Sequence, residues 1–217
     1  MTSKLYESFL KKNPSPQERF NLGKSIRKEV DRSSIGQFTL EKKRQGPIDI
    51  LLSQAKTRIP HYIPIRHARM AADPFAFFRG GAASMAHDLA RIPSPSIQVQ
   101  LCGDMHVSNF GFFSTTEHQL VFGINDFDET LPGNFDWDLK RLTASAMVAA
   151  QLLGQDHAYG EDIVRNICTS YRNYLRQYAF MPYIDLKRTY IDEKSLTHIA
   201  VKKCKCYKPK VFKRCIG

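Results

Sequence analysis

At 217 residues, with 42% hydrophobic and 11% aromatic side chains, the chain is long enough for one good core and ordinary in composition for a soluble globular protein. It has no run of eighteen apolar residues to form a transmembrane helix, and MTSKLYESFLKKNPSPQ lacks the apolar stretch of a secretory signal, so a cytoplasmic location is expected. The net charge of +11 lies at the ends: residues 1–45 carry eleven basic and five acidic side chains, 201–217 seven basic and none acidic, and 46–200 fourteen basic against sixteen acidic, which argues against a nucleic acid or membrane partner for the fold itself.

Three segments follow from this distribution: a basic polar N-terminal segment 1–45, a central domain 46–200, and a basic Cys/Lys-rich tail 201–217. Five cysteines make no disulfide framework in a chain of this size and compartment. Cys102 lies in an apolar run and reads as a small buried residue. Cys204, Cys206 and Cys215 lack the paired spacing of a zinc site, and His198 is the one further ligand in reach.

In the N-terminal segment Pro14 and Pro16 break the first helical pattern, and an amphipathic stretch runs from Gln17 to Val30. Ile48, Ile50, Leu51 and Leu52 predict a short helix. RIPHYIPIRHARM, with two prolines, predicts an ordered loop whose Arg58, Arg66 and Arg69 are surface charges or a clamp for an anion. Asp73-Pro74 has the form of an N-cap and first helical position. Gly80-Gly81 then divides a Phe-rich turn from a helix over about Ala82–Ala90, with the three phenylalanines in the core. Arg79, between aromatic residues and the Gly pair, is a surface or structural arginine, or a contact for cofactor phosphates beside a glycine cradle.

Alternating Ile97, Val99 and Leu101 predict a strand that stops at Gly103, and Gln119–Ile124 predicts a second, separated from the first by a loop holding Phe110, Phe112 and Phe113. After a turn at LPGN comes a helix whose Leu139, Leu142, Ala146, Ala149 and Leu153 share one face, closed by Gly154. Residues 157–180 predict another amphipathic helix, through Ile163, Ile167, Tyr171, Tyr174 and Tyr178. The expected class is α+β with short strands and a helical subdomain.

The chemistry gathers between Val99 and Arg141. Asp104 and Asn109 leave the first strand five residues apart, so one loop can turn a carboxylate toward a substrate hydroxyl and an amide oxygen toward a cation, the division of labour that phosphoryl transfer requires. Asp126, leaving the next strand, can supply a harder oxygen ligand for Mg²⁺, which takes one or two carboxylates plus phosphate oxygens and water. Asp128 and Glu129 are further acids that either enlarge that metal site or face water.

GDMHVSNFG, INDFDE and WDLKRL resemble the kinase-like phosphotransferases, especially the aminoglycoside and choline kinase branch with its HGDxHxxN motif. More closely, IPIRHARMAADPFAFFRGGAASMAHDLA, VQLCGDMHVSNFG and INDFDETLPGNFDWDLKRLTAS resemble the bacterial family catalogued as domain of unknown function 2252, over roughly residues 45–155. The resemblance implies the catalytic-lobe half of a protein-kinase-like fold, with Asp104 as catalytic base, His106 orienting the catalytic loop, Asn109, Asp126 and Asp128 as metal ligands, and Asp138 bonding the loop backbone. It implies ATP and Mg²⁺ as cofactors and an unidentified small molecule as acceptor. Two departures are plain: Cys102 stands where the small-molecule kinases have His, and no Gly-rich strand-loop or strand-borne Lys for the nucleotide is found. A shortened member of the family is therefore expected. The alternatives are a non-catalytic pseudoenzyme or binding module, a metallophosphoesterase, for which an earlier DxH is missing, and nucleic-acid binding through the basic ends.

Overall fold

The computed structural model describes residues 14–39 and 43–196. Helix α1, Pro16–Glu29, starts at an N-cap where the Ser15 hydroxyl accepts the Glu18 N–H at 3.2 Å and the Glu18 carboxylate accepts the Ser15 N–H at 2.6 Å. Such a reciprocal cap contributes about 1 kcal/mol. Pro16 at the first position therefore opens a helix, where the sequence suggested a break, because its missing N–H would have had no partner there. A short α2, Arg32–Ile35, follows, and neither helix buries a residue.

Helix α3, Pro47–Ala55, buries Ile50 and Leu51. The expected loop after it is helical: a 3-10 turn over Pro60–Tyr62 leads into α4, Ile63–Met70. Both prolines lie in the first turn of their element, where they cost no hydrogen bond. The Phe-rich stretch is likewise a helix, α5, Pro74–Gly80, capped by Asp73 Oδ1 accepting the Ala76 N–H at 2.8 Å. Its phenylalanines are half-buried. Gly81 separates it from α6, Ala82–Leu89.

The strands are short and antiparallel. β1, Gln98–Leu101, pairs with β4, Leu131–Asn134, in a register that sets Gln98 against Asn134 and Leu101 against Leu131. β2, Phe110–Ser114, pairs with β3, Leu120–Ile124, from Phe110 opposite Ile124 to Ser114 opposite Leu120. Two expectations are corrected here. The Phe110–Phe113 loop is a hairpin strand, and the LPGN turn is the strand that partners β1. Both are short aromatic or Pro/Gly-containing runs that owe their extended form to a partner strand rather than to alternation.

Helices α7, Asp136–Leu152, and α8, His157–Tyr178, form an antiparallel pair. The connection ends α7 with Gly154 at φ 73°, while Gln155 N–H bonds the Ala150 carbonyl at 3.0 Å and Gly154 N–H that of Gln151 at 3.0 Å. A left-handed residue at this position is the ordinary way to satisfy the last carbonyls of a helix. After α9, Tyr183–Lys187, the two-residue β5, Ile191–Asp192, returns to pair with β3.

The apolar core of the described residues is small: Leu89, Leu101, Cys102, Val121, Ala146 and Ala150 are among its members. The buried residues of α7 are Asp136, Arg141, Ser145, Ala146 and Ala150. Of the expected face, Ala146 alone is among them. Leu139 and Leu142 instead line an open cleft of about 980 Å³ shared with Ile163 and Ile167 of α8, and Leu153 is exposed. Among the described residues no helix is long and apolar enough to cross a membrane. Together these elements make a mixed α+β fold with small antiparallel sheets.

Candidate functional site

The site is built on the loop that leaves β1. Gly103 has φ 88°, a region where an L side chain is strained, and a Cβ there would also overlap the Glu129 carbonyl oxygen. The chain therefore turns under the following strand's connection at a point only glycine fits. A second 3-10 turn, Val107–Asn109, closes with the Asn109 N–H on the His106 carbonyl at 2.9 Å, and the backbone passes directly into β2.

Helix α7 holds this loop along one face. Residues 138, 141 and 145 are three and then four apart, so their side chains align on a helix. The Asp138 carboxylate accepts the Cys102 N–H at 2.7 Å and the Gly103 N–H at 3.1 Å. One residue further along the loop, Arg141 donates through Nε to Asp104 Oδ1 at 2.6 Å. Ser145, fully buried, accepts the Val107 N–H at 3.1 Å and donates to the Leu142 carbonyl at 2.7 Å. Three polar side chains thus fix four loop positions, which explains why this helix buries polar residues.

Arg141 is buried and well satisfied. Besides Asp104 it bonds the Phe78 carbonyl at 2.9 Å, and its guanidinium lies 4.5 Å from the centroid of the Phe78 ring. A buried guanidinium needs a counter-charge and hydrogen bonds to offset the loss of water, and α5 and the loop supply both. At the start of α7 the buried Asp136 accepts from Ser94 and pairs with Lys140 at 2.7 Å. That pair anchors the helix end rather than the site.

The remaining motif residues meet at one cavity of about 930 Å³, lined by Asp104, His106, Asn109, Asp126 and Arg79 together with residues of α4. The Asn109 amide donates to the Asp104 carbonyl at 2.6 Å, and its amide oxygen takes no hydrogen bond among the described residues. Asp126 is exposed to the cavity, with Oδ1 accepting the Asp128 N–H at 3.3 Å and its carbonyl accepting the Cys102 thiol at 3.1 Å. An amide oxygen and a carboxylate at one cavity are hard ligands of the kind Mg²⁺ uses when a phosphate and water complete its shell. Asp128 is exposed and is not part of that lining. Among the described residues no three His, Cys, Asp or Glu side chains are grouped to hold a metal ion.

His106 is 2% exposed, with Nε2 3.7 Å from Asp104 Oδ2, beyond hydrogen-bond reach, and its ring edge-on to Phe75 at 6.3 Å. Burial lowers its pKa first of all; the Asp104 and Asp126 carboxylates oppose this, and Arg79 and Arg141 reinforce it. It is a buried imidazole at the wall of the cavity. Cys102 is buried, and burial, then the Asp138 carboxylate, raises its thiol to about 11.

Sequence reasoning passed over Arg141 and Ser145. The signal was available: both continue the helical face that Asp138 begins. His198 and the three tail cysteines lie outside the described residues.

A loop pinned by a helix face thus opens on a cavity lined by acids and arginines in an α+β domain. The chain belongs to the family described as "Uncharacterized protein conserved in bacteria (DUF2252)", which matches residues 58–214. No curated protein and no solved structure matches it.

Proposed function

We propose that the chain carries a kinase-like phosphotransfer site for a small-molecule hydroxyl, using ATP and Mg²⁺. The observation that supports this most is the convergence of Asp104, Asn109 and Asp126 on one cavity while Asp138, Arg141 and Ser145 fix the loop between them. Pre-set positions of this kind are what phosphoryl transfer needs, because the protein's contribution there is placement and charge rather than covalent chemistry.

In this reading Asp104 orients the acceptor hydroxyl and takes its proton through Oδ2, while Arg141 holds Oδ1 and so fixes the carboxylate plane. As the acceptor oxygen bonds to the terminal phosphorus, the bond from that phosphorus to the ADP oxygen breaks. Asn109 and Asp126 would hold magnesium, which when bound neutralises phosphate charge. Asp138 keeps the loop backbone in place, and His106 is a positioning residue. Arg79 lines the same cavity and would meet phosphate oxygens.

A second reading, ligand binding without turnover, is favoured by one fact: the Arg141 guanidinium already occupies an Asp104 oxygen, which leaves a single oxygen to meet an acceptor. Metal-dependent phosphoester hydrolysis would want several His and Asp ligands in one group, and the described residues do not offer one.

The test is Mg²⁺-dependent consumption of ATP with a panel of hydroxylated acceptors. A transfer rate that falls at least about a hundredfold in both Asp104→Asn and Asp126→Asn supports the proposal. Nucleotide binding with no transfer to any acceptor or to water favours the second reading.

A further inference from the structure

Four arginines meet at the cavity, and among the described residues none of them has an acidic partner. Arg66 and Arg69 sit three apart on α4 and so share a face. Arg58 comes from the turn before it and Arg79 from α5, and all four line the same cavity as Asp104 and Asp126. The packing of α4 on α5 brings them together: at Gly80 a Cβ would overlap the Met70 thioether, and this close approach lets Arg66 Nη2 donate to the Gly80 carbonyl at 2.8 Å. One nitrogen of the half-buried Arg66 is thereby anchored, and the rest of its fork is left to other partners. Arg58, Arg69 and Arg79 are exposed.

Among the described residues none of the four forms an ion pair with a carboxylate. Asp104 is already neutralised by Arg141. Asp126 and Glu129 are the acids left nearby, fewer than the guanidiniums they face. Arg66 is lowered from its ordinary pKa by burial and then by the neighbouring Arg58 charge, so the wall repels itself as it stands. An anion reverses that repulsion. The planar fork of arginine matches phosphate oxygens in pairs, which favours phosphate over a diffuse counterion.

We propose that Arg58, Arg66 and Arg69 bind the phosphate chain of a polyphosphorylated ligand, taking the charge that a strand-borne lysine and a glycine loop carry in kinase-like sites. The ligand's role in transfer rests on the proposed function above, whereas its binding rests on the arginines alone. The chain comes either from the nucleotide donor or from a phosphorylated acceptor.

The experiment is calorimetric titration of the full 217-residue chain with tripolyphosphate at low salt and without divalent metal. Arg58→Gln and Arg69→Gln carry the test, because Arg66 also holds the Gly80 carbonyl; thermal melts show that the variants fold. Saturable binding that weakens about tenfold with each substitution, and falls as salt is raised, supports the site. No binding, or equal affinity in all variants, overturns it. Competition identifies the source. Displacement by ATP, with the same sensitivity to the two substitutions, points to the nucleotide; displacement by phosphoribosyl pyrophosphate, a sugar bearing a diphosphate chain, but not by ATP points to a phosphorylated acceptor. Arginine-dependent tripolyphosphate binding in a chain that transfers no phosphoryl group would sink the phosphotransferase reading and leave this site standing. Transfer indifferent to both substitutions would do the reverse.

Discussion

Arg141 reaches from the buried face of α7 to Asp104 Oδ1 at 2.6 Å, tying the acid of the loop to the helix behind it. The guanidinium is 3% exposed, so neither partner can lose the other cheaply. Removing one member of such a buried pair costs about 3–5 kcal/mol, much of it from the charge left unpaired. Arg141→Met and Asp104→Asn are each expected to destabilise by that order, and the double variant by clearly less than their sum. Urea unfolding of the four proteins measures this. Simple additivity would show that the contact is not energetically real.

Gly103 makes a sharper demand. Its φ of 88° and the Glu129 carbonyl above it both exclude a side chain. Gly103→Ala is expected to cost about 3 kcal/mol or more, from left-handed strain and overlap together. Gly23, in the middle of α1 with nothing near its missing Cβ, is the control, and there Ala should gain about 0.5–1 kcal/mol. Denaturant midpoints that moved alike in the two variants would contradict the loop geometry.

The buried His106 gives the fold a pH dependence with a definite sign. Its native pKa lies below the ordinary 6.5, so as pH falls past about 6.5 the unfolded chain takes up a proton that the native chain does not. Its contribution is fully present above that value and is lost as pH falls through the lowered native one. Melting temperatures from pH 8 to pH 5 should drop for the native sequence and drop less for His106→Gln. An equal slope in both would place the effect elsewhere.

Cys102 and Cys168 should differ in reactivity. Cys168 is exposed, whereas Cys102 is buried, donates to the Asp126 carbonyl, and has its thiol held near 11. At pH 8 about one Cys102 in a thousand would be thiolate. Iodoacetamide labelling read by peptide mass mapping should modify Cys168 well before Cys102. Equal rates would mean that the loop opens freely.

What could be read from the chain itself followed from how local the information was. The loop 102–109 stood out as a candidate because its chemistry-bearing residues are contiguous and follow an alternating strand. Asp73-Pro74 and Gly154 marked helix ends through chemistry confined to a few residues. Phe110–Ser114 and Leu131–Asn134 were not legible as strands, because each is extended only through its partner, and β1 meets β4 some thirty residues away. The buried face of α7 was misread for a related reason. Hydrophobic periodicity pointed to Leu139 and Leu142, while the helix buries Arg141 and Ser145, whose partners lie on a loop that no periodicity describes. Arg58, Arg66 and Arg69 stood out as surface charges or an anion clamp, but the two prolines beside them suggested a loop where a 3-10 turn and a helix in fact form.

The most direct measurement of the account is a thermal melt with Mg²⁺ and ATP together, compared with each alone, for the native chain and Asp126→Asn. A ligand held at a hundred times its Kd stabilises by about 2.7 kcal/mol, so a rise of several degrees is expected for the native chain with the pair, and little or none for the variant. No shift in the native chain, or an equal shift in the variant, would contradict a magnesium–nucleotide site at Asp126.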